Sequence, residues 1–378
     1  MTNSMNPFHY GSPVEGDQFV GREREINALV SRMRNHVSVV LLSPRRYGKT
    51  SVLLRAESIL VKKRPALVHV NVLRCKDRAA LAGALAGGAF RIPGARWHRA
   101  RQAVPEFLAR IRVKPTVAFT DDGRPVFEYG PRLAPPDADK ITADIYALLS
   151  SEAAHRPAVL VLDEFQAITD YGEHLPRLLK SLADEHPSVS LVLAGSKRHL
   201  MERLVAAESS PLYGMTQKIA LGPIPNDEMV GFLRERIATG RKRVTELVAE
   251  LIVRVAGPVP NDIQRLAYES FEIAGREVTA DVVAAGMDQA VAHEAPTYSE
   301  ELQRRAPGQR RVLIQLAKSG GSSSPMSAAF ATAVGLASAA SVRKALHTLD
   351  ADEAVIGRDG AWVVADPFFG AWLRGTEG

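Results

Sequence analysis

The sequence is poor in the features that mark secreted and membrane proteins. Cys75 is the single cysteine among 378 residues, which excludes an internal disulfide framework. The opening MTNSMNPFHY lacks the basic and then apolar pattern of a secretion signal. The longest apolar runs, such as VSVVLL and PAVLVL, are far shorter than the ~20 residues that span a bilayer. We therefore expect a cytoplasmic protein with no membrane segment.

The chain also lacks a strong excess of one charge. Its 48 Lys and Arg and its 42 Asp and Glu leave a net charge of +6 and a pI near 9.4. This balance permits attraction to nucleic acid or to an acidic partner, but by itself it indicates neither. Hydrophobic residues make up 46% of the sequence, which is enough for a substantial core. At roughly 100–200 residues per domain, the length predicts two or three domains.

Short apolar runs, each followed by a helical pattern, are the main feature of residues 1–224. These runs do not alternate with polar residues, which is typical of strands buried on both faces of a parallel sheet. They lie at 37–42, 67–73, 158–163 and 189–195, with a fifth candidate at 217–221. The predicted fold class of this region is therefore α/β.

Two later segments depart from that pattern. Residues 91–135 read as an insertion in the α/β core, with a basic stretch followed by a hairpin that turns at Asp122-Gly123. Residues 225–294 carry apolar positions at i, i+3 and i+4, which predicts an all-α lid.

The first strand leads into SPRRYGKTS, which resembles the P-loop motif G-x-x-x-x-G-K-[ST] except that Ser43 replaces its first glycine. Backbone N–H groups at a helix N-terminus surround phosphates only where side chains are absent, and Gly48 supplies that clearance. Lys49 would reach the β- and γ-phosphates, and the Thr50 hydroxyl would ligate Mg²⁺. The alternative is a surface loop with a chance GKT. The predicted nucleotide-binding segment comprises Ser43, Pro44, Arg45, Arg46, Tyr47, Gly48, Lys49, Thr50 and Ser51.

A second polar site follows the strand AVLVLD. Asp163 at its end would help to hold Mg²⁺, and Glu164 would take a proton from the attacking water, unless the pair is only a solvated acidic loop.

Ser196, after LVLAG, would sense the γ-phosphate or orient water, or else cap the next helix. Asn71, after LVHV, would hydrogen-bond Glu164 or serve as a turn residue. The predicted catalytic residues are Lys49, Glu164 and Ser196, and the predicted metal ligands are Thr50 and Asp163.

Several motifs together resemble a known family. FVGREREI at 19–26, the P-loop, LVLDEFQ and LAGS are similar to those of the archaeal-type ATPases in the STAND division of AAA+-like P-loop NTPases. The opening NPFHYGSPVEGDQFVGRE and the terminal ADPFFGAWLRG also look like that family's ends. The resemblance implies an ASCE/AAA+-like P-loop sheet, and ATP rather than GTP as the ligand. It also implies adenine contacts from Phe19, Val20, Gly21 and Arg22, and nucleotide contacts from Gly257 and Pro260 of a G-x-x-P element in the lid.

The sequence departs from this family at two positions. Ser43 replaces the first P-loop glycine, and Met215 stands where family members commonly have an arginine. If that arginine stabilises the transferring phosphate, turnover in this chain is slow, or the charge comes from Arg45, Arg46 or Arg198.

Residues 295–378 contain three helical patterns and two short strands joined at Asp359-Gly360, the order of a winged helix-turn-helix. Its recognition helix would offer DNA mainly Arg343 and Lys344, so docking on the chain's own ATPase core or on a protein partner is the favoured alternative. The other polar positions of this region are Ser338, Ser341 and His347, with Arg358 on the wing.

The stretch from Arg91 to Lys114 is more basic than the winged helix and contains Trp97. It would attract nucleic acid or an acidic protein surface, or it is an amphipathic hairpin with solvated arginines.

The leading hypothesis is a Mg²⁺-dependent, slowly hydrolysing ATPase that acts as a molecular switch. In this hypothesis ATP or ADP sits between the core and the lid, and the nucleotide state repositions the winged helix. One alternative is a DNA-binding regulator or initiator-like ATPase gated by ATP. Another is a pseudo-ATPase scaffold, suggested by Ser43 and Met215.

Overall fold

The computed structural model describes residues 5–94, 116–119, 125–128, 135–358 and 360–376. The chain divides into two compact units. The α/β unit is Arg22–Gly222, and the helical unit combines Met1–Gly21 with Pro223–Gly378. The backbone therefore passes from one unit to the other twice, after Gly21 and after Gly222.

The α/β unit contains a five-stranded parallel sheet with the strand order β2-β5-β6-β1-β7. Every residue of β1, β5 and β6 is buried, whereas the edge strands β2 and β7 are partly open, as expected from their outer positions. The predicted α/β class with a parallel sheet is confirmed. The strands are β1 (Val39–Leu42), β2 (Ala66–Asn71), β5 (Ala158–Asp163), β6 (Ser190–Gly195) and β7 (Gln217–Ala220).

Strand register brings the predicted polar residues to one edge of this sheet. Asn71 is paired with Asp163, and Leu42 is paired with Gly195. Because parallel strands all point the same way, the residues that follow β1, β2, β5 and β6 share the carboxyl edge, where α/β folds bind ligands.

Helices pack on both sides of the sheet. The first, α1, buries Ile26, Leu29, Val30 and Met33 along one stripe, the spacing of an amphipathic helix. The described helices of the α/β unit are α1 (Glu23–Arg34), α2 (Lys49–Leu60), α3 (Arg78–Phe90), α4 (Pro135–Ala153), α5 (His174–Glu185) and the short α6 (Arg198–Met201).

The predicted hairpin in the insertion is present as two antiparallel strands, β3 (Thr116–Phe119) and β4 (Pro125–Glu128). Its turn at Asp122-Gly123 lies outside the described residues. So does the basic stretch from residue 95 to Lys114, and its role remains a prediction.

The helical unit contains the lid helices and the winged helix. A two-residue parallel pair, β8 (Arg243–Val244) with β9 (Glu277–Val278), ties the lid together. The remaining elements are α7 (Asn226–Thr239), α8 (Glu246–Ala256), α9 (Pro260–Ile273), α10 (Ala280–Arg304), α11 (Pro307–Lys318), α12 (Ala328–Ala333), α13 (Ala339–Ala351), β10 (Val355–Arg358), β11 (Ala361–Val364) and α14 (Pro367–Arg374).

The lid and the winged helix share one hydrophobic core. That core runs without interruption from Leu233 and Ile252 in the lid to Val342 and Leu373 in the winged helix. The helix α10 is continuous across residue 294, with Pro296 inside it, so no linker separates the two parts. No helix among the described residues is both long and apolar enough to cross a bilayer.

The N-terminal segment belongs to the helical unit. Phe8 is buried and packs edge-on against Phe232 and Phe271, with ring centroids 6.4 and 6.3 Å away. The Asn6 amide donates to the carbonyl of Tyr268 at 3.1 Å. The opening NPFHY therefore completes the lid core in addition to leading into the first helix of the α/β unit.

Candidate functional site

The loop between β1 and α2 has the backbone of a phosphate-binding loop. Ser43 is buried, its N–H donates to the Gly195 carbonyl at 3.3 Å, and its hydroxyl donates to the Pro44 carbonyl at 2.9 Å. The serine that replaces the first P-loop glycine thus fits against the end of β6 and bonds within its own loop. The substitution leaves the residues farther along the loop in place.

Gly48 begins α2 with φ +84°, a conformation that residues with a Cβ rarely adopt. A Cβ built on Gly48 would meet no atom within 4 Å. Glycine is therefore needed for the backbone shape, and open space lies beside it. A helix N-terminus with open space next to it is suited to an anion.

Lys49 lies at the centre of a buried cluster of charges. Its Nζ is 2.9 Å from Glu164 Oε1 and also hydrogen-bonds Asp163 Oδ1, and the side chains of Lys49 and Asp163 are 6% and 1% exposed. One cation between two carboxylates leaves a net negative charge. A buried charge is tolerated only when it is paired. Lys49 could therefore leave its carboxylate partners only if phosphate oxygens became its new partners.

The predicted metal ligands are neighbours. The Thr50 hydroxyl donates to Asp163 Oδ2 at 3.1 Å, so both oxygens lie at the same point of the carboxyl edge. Among the described residues, no group of three His, Cys, Asp or Glu side chains could hold a metal ion. Two hard oxygen donors without a full protein cage fit Mg²⁺, which usually takes its other ligands from phosphates and water.

Glu164 is held in an unusual backbone conformation. Its φ of 54° and ψ of 40° lie in the left-handed region, which costs about 1–3 kcal/mol for such a residue. Its carboxylate oxygen Oε2 accepts from the Ser196 hydroxyl at 3.0 Å and from the Gln166 amide at 2.5 Å. Burial raises the pKa of Glu164, but the charge of Lys49 and the hydrogen bonds from Lys49, Gln166 and Ser196 outweigh burial and lower it. The residue proposed as a base is thereby kept ionised.

Asn71 has a local role. Its side-chain oxygen accepts from the N–H of Leu73 at 3.1 Å and caps the turn after β2. No hydrogen bond joins Asn71 to Glu164 in the part of the chain that the structure describes, although strand register places it beside Asp163. The turn-residue alternative matches this geometry.

Gln166 was given no role by sequence reasoning, although it lies in the LVLDEFQ motif. It is buried, and its amide bridges Glu164 and the Ser196 hydroxyl, the latter at 3.4 Å. The only hint in the sequence is its position, two residues after Glu164 of the Asp163-Glu164 pair. What it touches depends on a turn that follows β5 and on the end of β6, which the sequence does not bring together by itself.

The predicted adenine segment divides between the units at Gly21 and Arg22. Arg22 is buried at the start of α1, and its guanidinium donates to the carbonyls of Gly222 and, at 3.5 Å, Tyr47. Arg22 thus links the P-loop to the point where the chain leaves the α/β unit. The nucleotide contacts of Phe19, Val20 and Gly21 remain predictions.

The G-x-x-P element lies in the helical unit. Pro260 is the first residue of α9, where its missing N–H costs nothing. A Cβ on Gly257 would lie 3.0 Å from both terminal nitrogens of Arg358, so the wing arginine rests against this glycine. The guanidinium of Arg358, on the wing, therefore packs against the G-x-x-P element of the same unit.

Met215 and the candidate replacement arginines differ in setting. Met215 is half-buried and packs against the core of the α/β unit. Arg198 is exposed and pairs with Glu202 at 2.8 Å. Arg45 and Arg46 are exposed on the P-loop itself, beside Lys49 in sequence. Of the three candidates, Arg45 and Arg46 are thus the two that belong to the predicted phosphate-binding segment.

Comparison with known proteins agrees with this architecture. Residues 18–193 match the AAA ATPase domain family, and residues 296–375 match a probable winged helix domain. Among curated proteins, the sequence has no match.

Solved structures add similarity along nearly the whole chain. The Walker-type ATPase paby2304 of Pyrococcus abyssi is similar with a TM-score of 0.67 and 20% identity, over 97% of this chain and 99% of that one. The ORC2 protein of Aeropyrum pernix, in ADPNP–ADP complexes, is similar with a TM-score of 0.57 and 14% identity, over 97% and 95% of the two chains. At these identities the likeness shows the fold alone. The chain therefore combines a unit of the P-loop NTPase fold with a C-terminal winged helix domain.

Proposed function

We propose that this protein is a Mg²⁺-dependent ATPase that acts as a molecular switch. The observation that carries the proposal is the convergence of Lys49, Thr50, Asp163 and Glu164 at the carboxyl ends of β1 and β5. These four groups provide a cation for phosphate, two oxygens for a metal ion and a carboxylate base. The open space beside Gly48 is where the phosphates would lie.

Each residue has one task in this proposal. Lys49 binds the β- and γ-phosphate oxygens, and Thr50 and Asp163 hold the metal ion. When bound, Mg²⁺ neutralises phosphate charge and orients the γ-phosphate. Glu164 accepts a proton from the attacking water as that water bonds to the γ-phosphorus and ADP leaves. Arg45 and Arg46 supply positive charge in place of the family arginine replaced by Met215.

The switch follows from the two partners that compete for Lys49. Without nucleotide, Lys49 is paired with Glu164 and Asp163; with nucleotide, phosphate oxygens take over part of that pairing and free Glu164. The helical unit is expected to respond as one body, because the lid and the winged helix share a core and the continuous helix α10. The switch role rests on this expectation, whereas the STAND-like assignment rests on the motifs FVGREREI, SPRRYGKTS, LVLDEFQ and LAGS.

Phosphate release by the purified protein tests the proposal. We expect Mg²⁺-dependent release of phosphate from ATP, lost on chelation and lowered about 10²–10³-fold in Glu164→Gln, which removes the base but keeps the side-chain shape. The matched control is Glu173→Gln, which changes an exposed carboxylate on the same segment. If the protein binds no ATP, or if Glu164→Gln releases phosphate at the wild-type rate, the proposal is wrong. Tight retention of ATP without turnover would select the pseudo-ATPase alternative.

A second candidate function is DNA binding gated by ATP. It is favoured by the exposure of Arg343, Lys344 and His347 on α13, the recognition helix of the winged helix. If this helix meets DNA, affinity should fall steeply with salt and drop further in Arg343→Ala. The matched control is Arg177→Ala, an exposed arginine of the α/β unit. Absence of binding at low salt would leave a protein partner as the candidate for this surface.

A further inference from the structure

The two oxygens of the Glu164 carboxylate have different partners. Oε1 faces Lys49 Nζ at 2.9 Å, whereas Oε2 accepts from Ser196 and Gln166. Only the Oε1 contact has to break when a triphosphate takes over Lys49. The Oε2 contacts come from Ser196 and Gln166 and do not involve Lys49, so the exchange at Lys49 does not require them to break.

The hydrogen-bond inventory fixes how the three polar side chains are arranged. An ionised carboxylate only accepts, so the Gln166 atom that faces Oε2 has to be the amide nitrogen. Ser196 has one hydroxyl hydrogen, which goes to Oε2, and its oxygen then accepts the second amide hydrogen of Gln166. Glu164, Gln166 and Ser196 are thus joined in a ring of three hydrogen bonds: Gln166 to Oε2, Ser196 to Oε2, and Gln166 to the Ser196 oxygen.

The surrounding structure is shaped to admit Gln166. A Cβ on Gly195, the last residue of β6, would lie 2.6 Å from Gln166 Oε1 and clash with Met201. Gln166 is 6% exposed, and its Oε1 is buried without a hydrogen-bond partner among the residues that the structure describes. Leaving a buried carbonyl oxygen without a hydrogen bond is unfavourable, and the two hydrogen bonds donated by the same amide group help to offset that cost.

We propose that Gln166 is the positioning residue for Glu164. It acts with Ser196 to hold Oε2, so that Oε1 stays directed at one point whether Lys49 or the attacking water occupies it. Gln166 touches no substrate and acts through Glu164. This inference rests on the proposed ATPase function and adds to it a residue to which neither the sequence motif nor the fold comparison assigns a role.

The test is a double-mutant cycle between Gln166 and Glu164. Gln166→Met keeps the length of the side chain and removes both donors. We expect kcat to fall about 10–100-fold, part of the ~10²–10⁴ that a base supplies, with KM and the affinity for ATP within about 2-fold of wild type. In the Glu164→Gln background, Gln166→Met should have no further effect, because its partner is already lost.

Substitutions at Thr169 and Ser196 distinguish a role of Gln166 in positioning Glu164 from a general loosening of the turn after β5. Thr169→Val removes the hydroxyl that bonds the Gln166 carbonyl at 2.9 Å, and it should leave kcat unchanged because the side chain of Gln166 is untouched. Ser196→Ala should lower kcat as Gln166→Met does, and Ser196→Thr, which keeps the hydroxyl, should restore it. Should Gln166→Met fail to fold, Gln166→Asn carries the same expectation, because its amide is one methylene too short.

The outcomes distinguish this inference from the function beneath it. If the wild type does not hydrolyse ATP, or Glu164→Gln equals it, both are overturned. If Glu164→Gln is inactive while Gln166→Met keeps wild-type kcat, the ATPase stands and the positioning role is overturned. An equal loss from Gln166→Met in both backgrounds, or from Thr169→Val, would show a structural role only and also overturn it.

Discussion

Both units of the molecule bury cations, and Lys49 of the α/β unit and Arg265 of the helical unit are held in different ways. Lys49 in the α/β unit is paired with two carboxylates beside the open space at Gly48. Arg265 in the helical unit donates to the Ala290 carbonyl at 2.9 Å, lies 4.4 Å from the ring centroid of Phe368 and pairs with the half-exposed Glu294 at 3.6 Å. The partners of Lys49 are two carboxylates that phosphate can replace, whereas Arg265 has one carboxylate partner and is otherwise held by a backbone carbonyl and an aromatic ring of the core. Burial alone therefore does not identify a functional charge; the nature of its partners does.

The largest expected effect separates these two cations by the same substitution. Lys49→Met should lower ATP turnover about 10²–10³-fold, since the main cation for the phosphates is lost. Arg265→Met should instead lower the free energy of unfolding by about 2–4 kcal/mol, because α10 and α14 lose a shared partner. Turnover is measured by phosphate release, and unfolding by the fluorescence of Trp372, whose ring packs 6.0 Å from Phe369 near this site. Because Lys49→Met also leaves Asp163 and Glu164 without their cation, its stability is expected to fall too, and turnover is the measurement that decides. A wild-type rate of phosphate release in Lys49→Met, or an equal loss of turnover in Arg265→Met, would contradict the comparison.

The sequence predicted one of these two cations for a physical reason. Lys49 and Thr50 are the first two residues of the helix that follows β1, and Asp163 ends a strand of the same sheet, so local pattern and parallel register suffice to bring them together. Arg265 lies on α9 and meets Ala290 and Phe368 only after three helices have packed. No spacing in the sequence indicates that contact.

At the carboxyl edge of the sheet, too, the sequence predicts which residues lie close together but not which side chains form hydrogen bonds. Register correctly places Asn71 beside Asp163, but a hydrogen bond to Leu73 turns its side chain to a local partner. Gln166 fills the role instead, because Gly195 leaves room for it at the end of β6. Strand register follows from the hydrophobic pattern of the sequence. The direction of a polar side chain depends instead on which hydrogen-bond partners the folded chain places near it.

Arg22 is intermediate between the two cations and gives the next largest effect. Like Arg265 it donates to carbonyls, but one of them, Tyr47, belongs to the P-loop. We expect Arg22→Ala to weaken ATP binding about 10-fold and to lower stability as well, since hydrogen bonds from a charged group contribute about 1.5–3 kcal/mol.

Isothermal titration with ATP and thermal unfolding measure the two effects of Arg22→Ala. Arg22→Lys is the matched control: it keeps the charge but cannot donate to two carbonyls in the planar geometry of a guanidinium, so it should recover only part of the affinity. If Arg22→Ala lowers stability but leaves the affinity for ATP unchanged, Arg22 has a purely structural role, as Arg265 does, and no role in nucleotide binding.

The smallest expected effect concerns a titratable pair on α2 and β2. His69 Nδ1 is 2.7 Å from Glu57 Oε1, and both side chains are half-buried. Burial lowers the pKa of His69, but the hydrogen bond and the charge of Glu57 outweigh burial and raise it above its usual value of about 6.5. A raised pKa in the folded state means that the pair stabilises the protein fully below the unfolded value and loses that contribution as pH rises through the folded one. Unlike Lys49 and Arg265, this charge depends on pH.

A double-mutant cycle of His69→Gln and Glu57→Gln, measured by urea unfolding, isolates the coupling between the two side chains. The coupling energy should be at most about 1 kcal/mol at pH values below about 6.5 and should decline toward zero as pH rises above the folded pKa of His69. The comparison variant is His174→Gln, which removes a more exposed histidine bound to Asp139 at 2.8 Å. A coupling that grows with pH would mean that neutral His69 is the stabilising form, and that this pair is held by a hydrogen bond without charge.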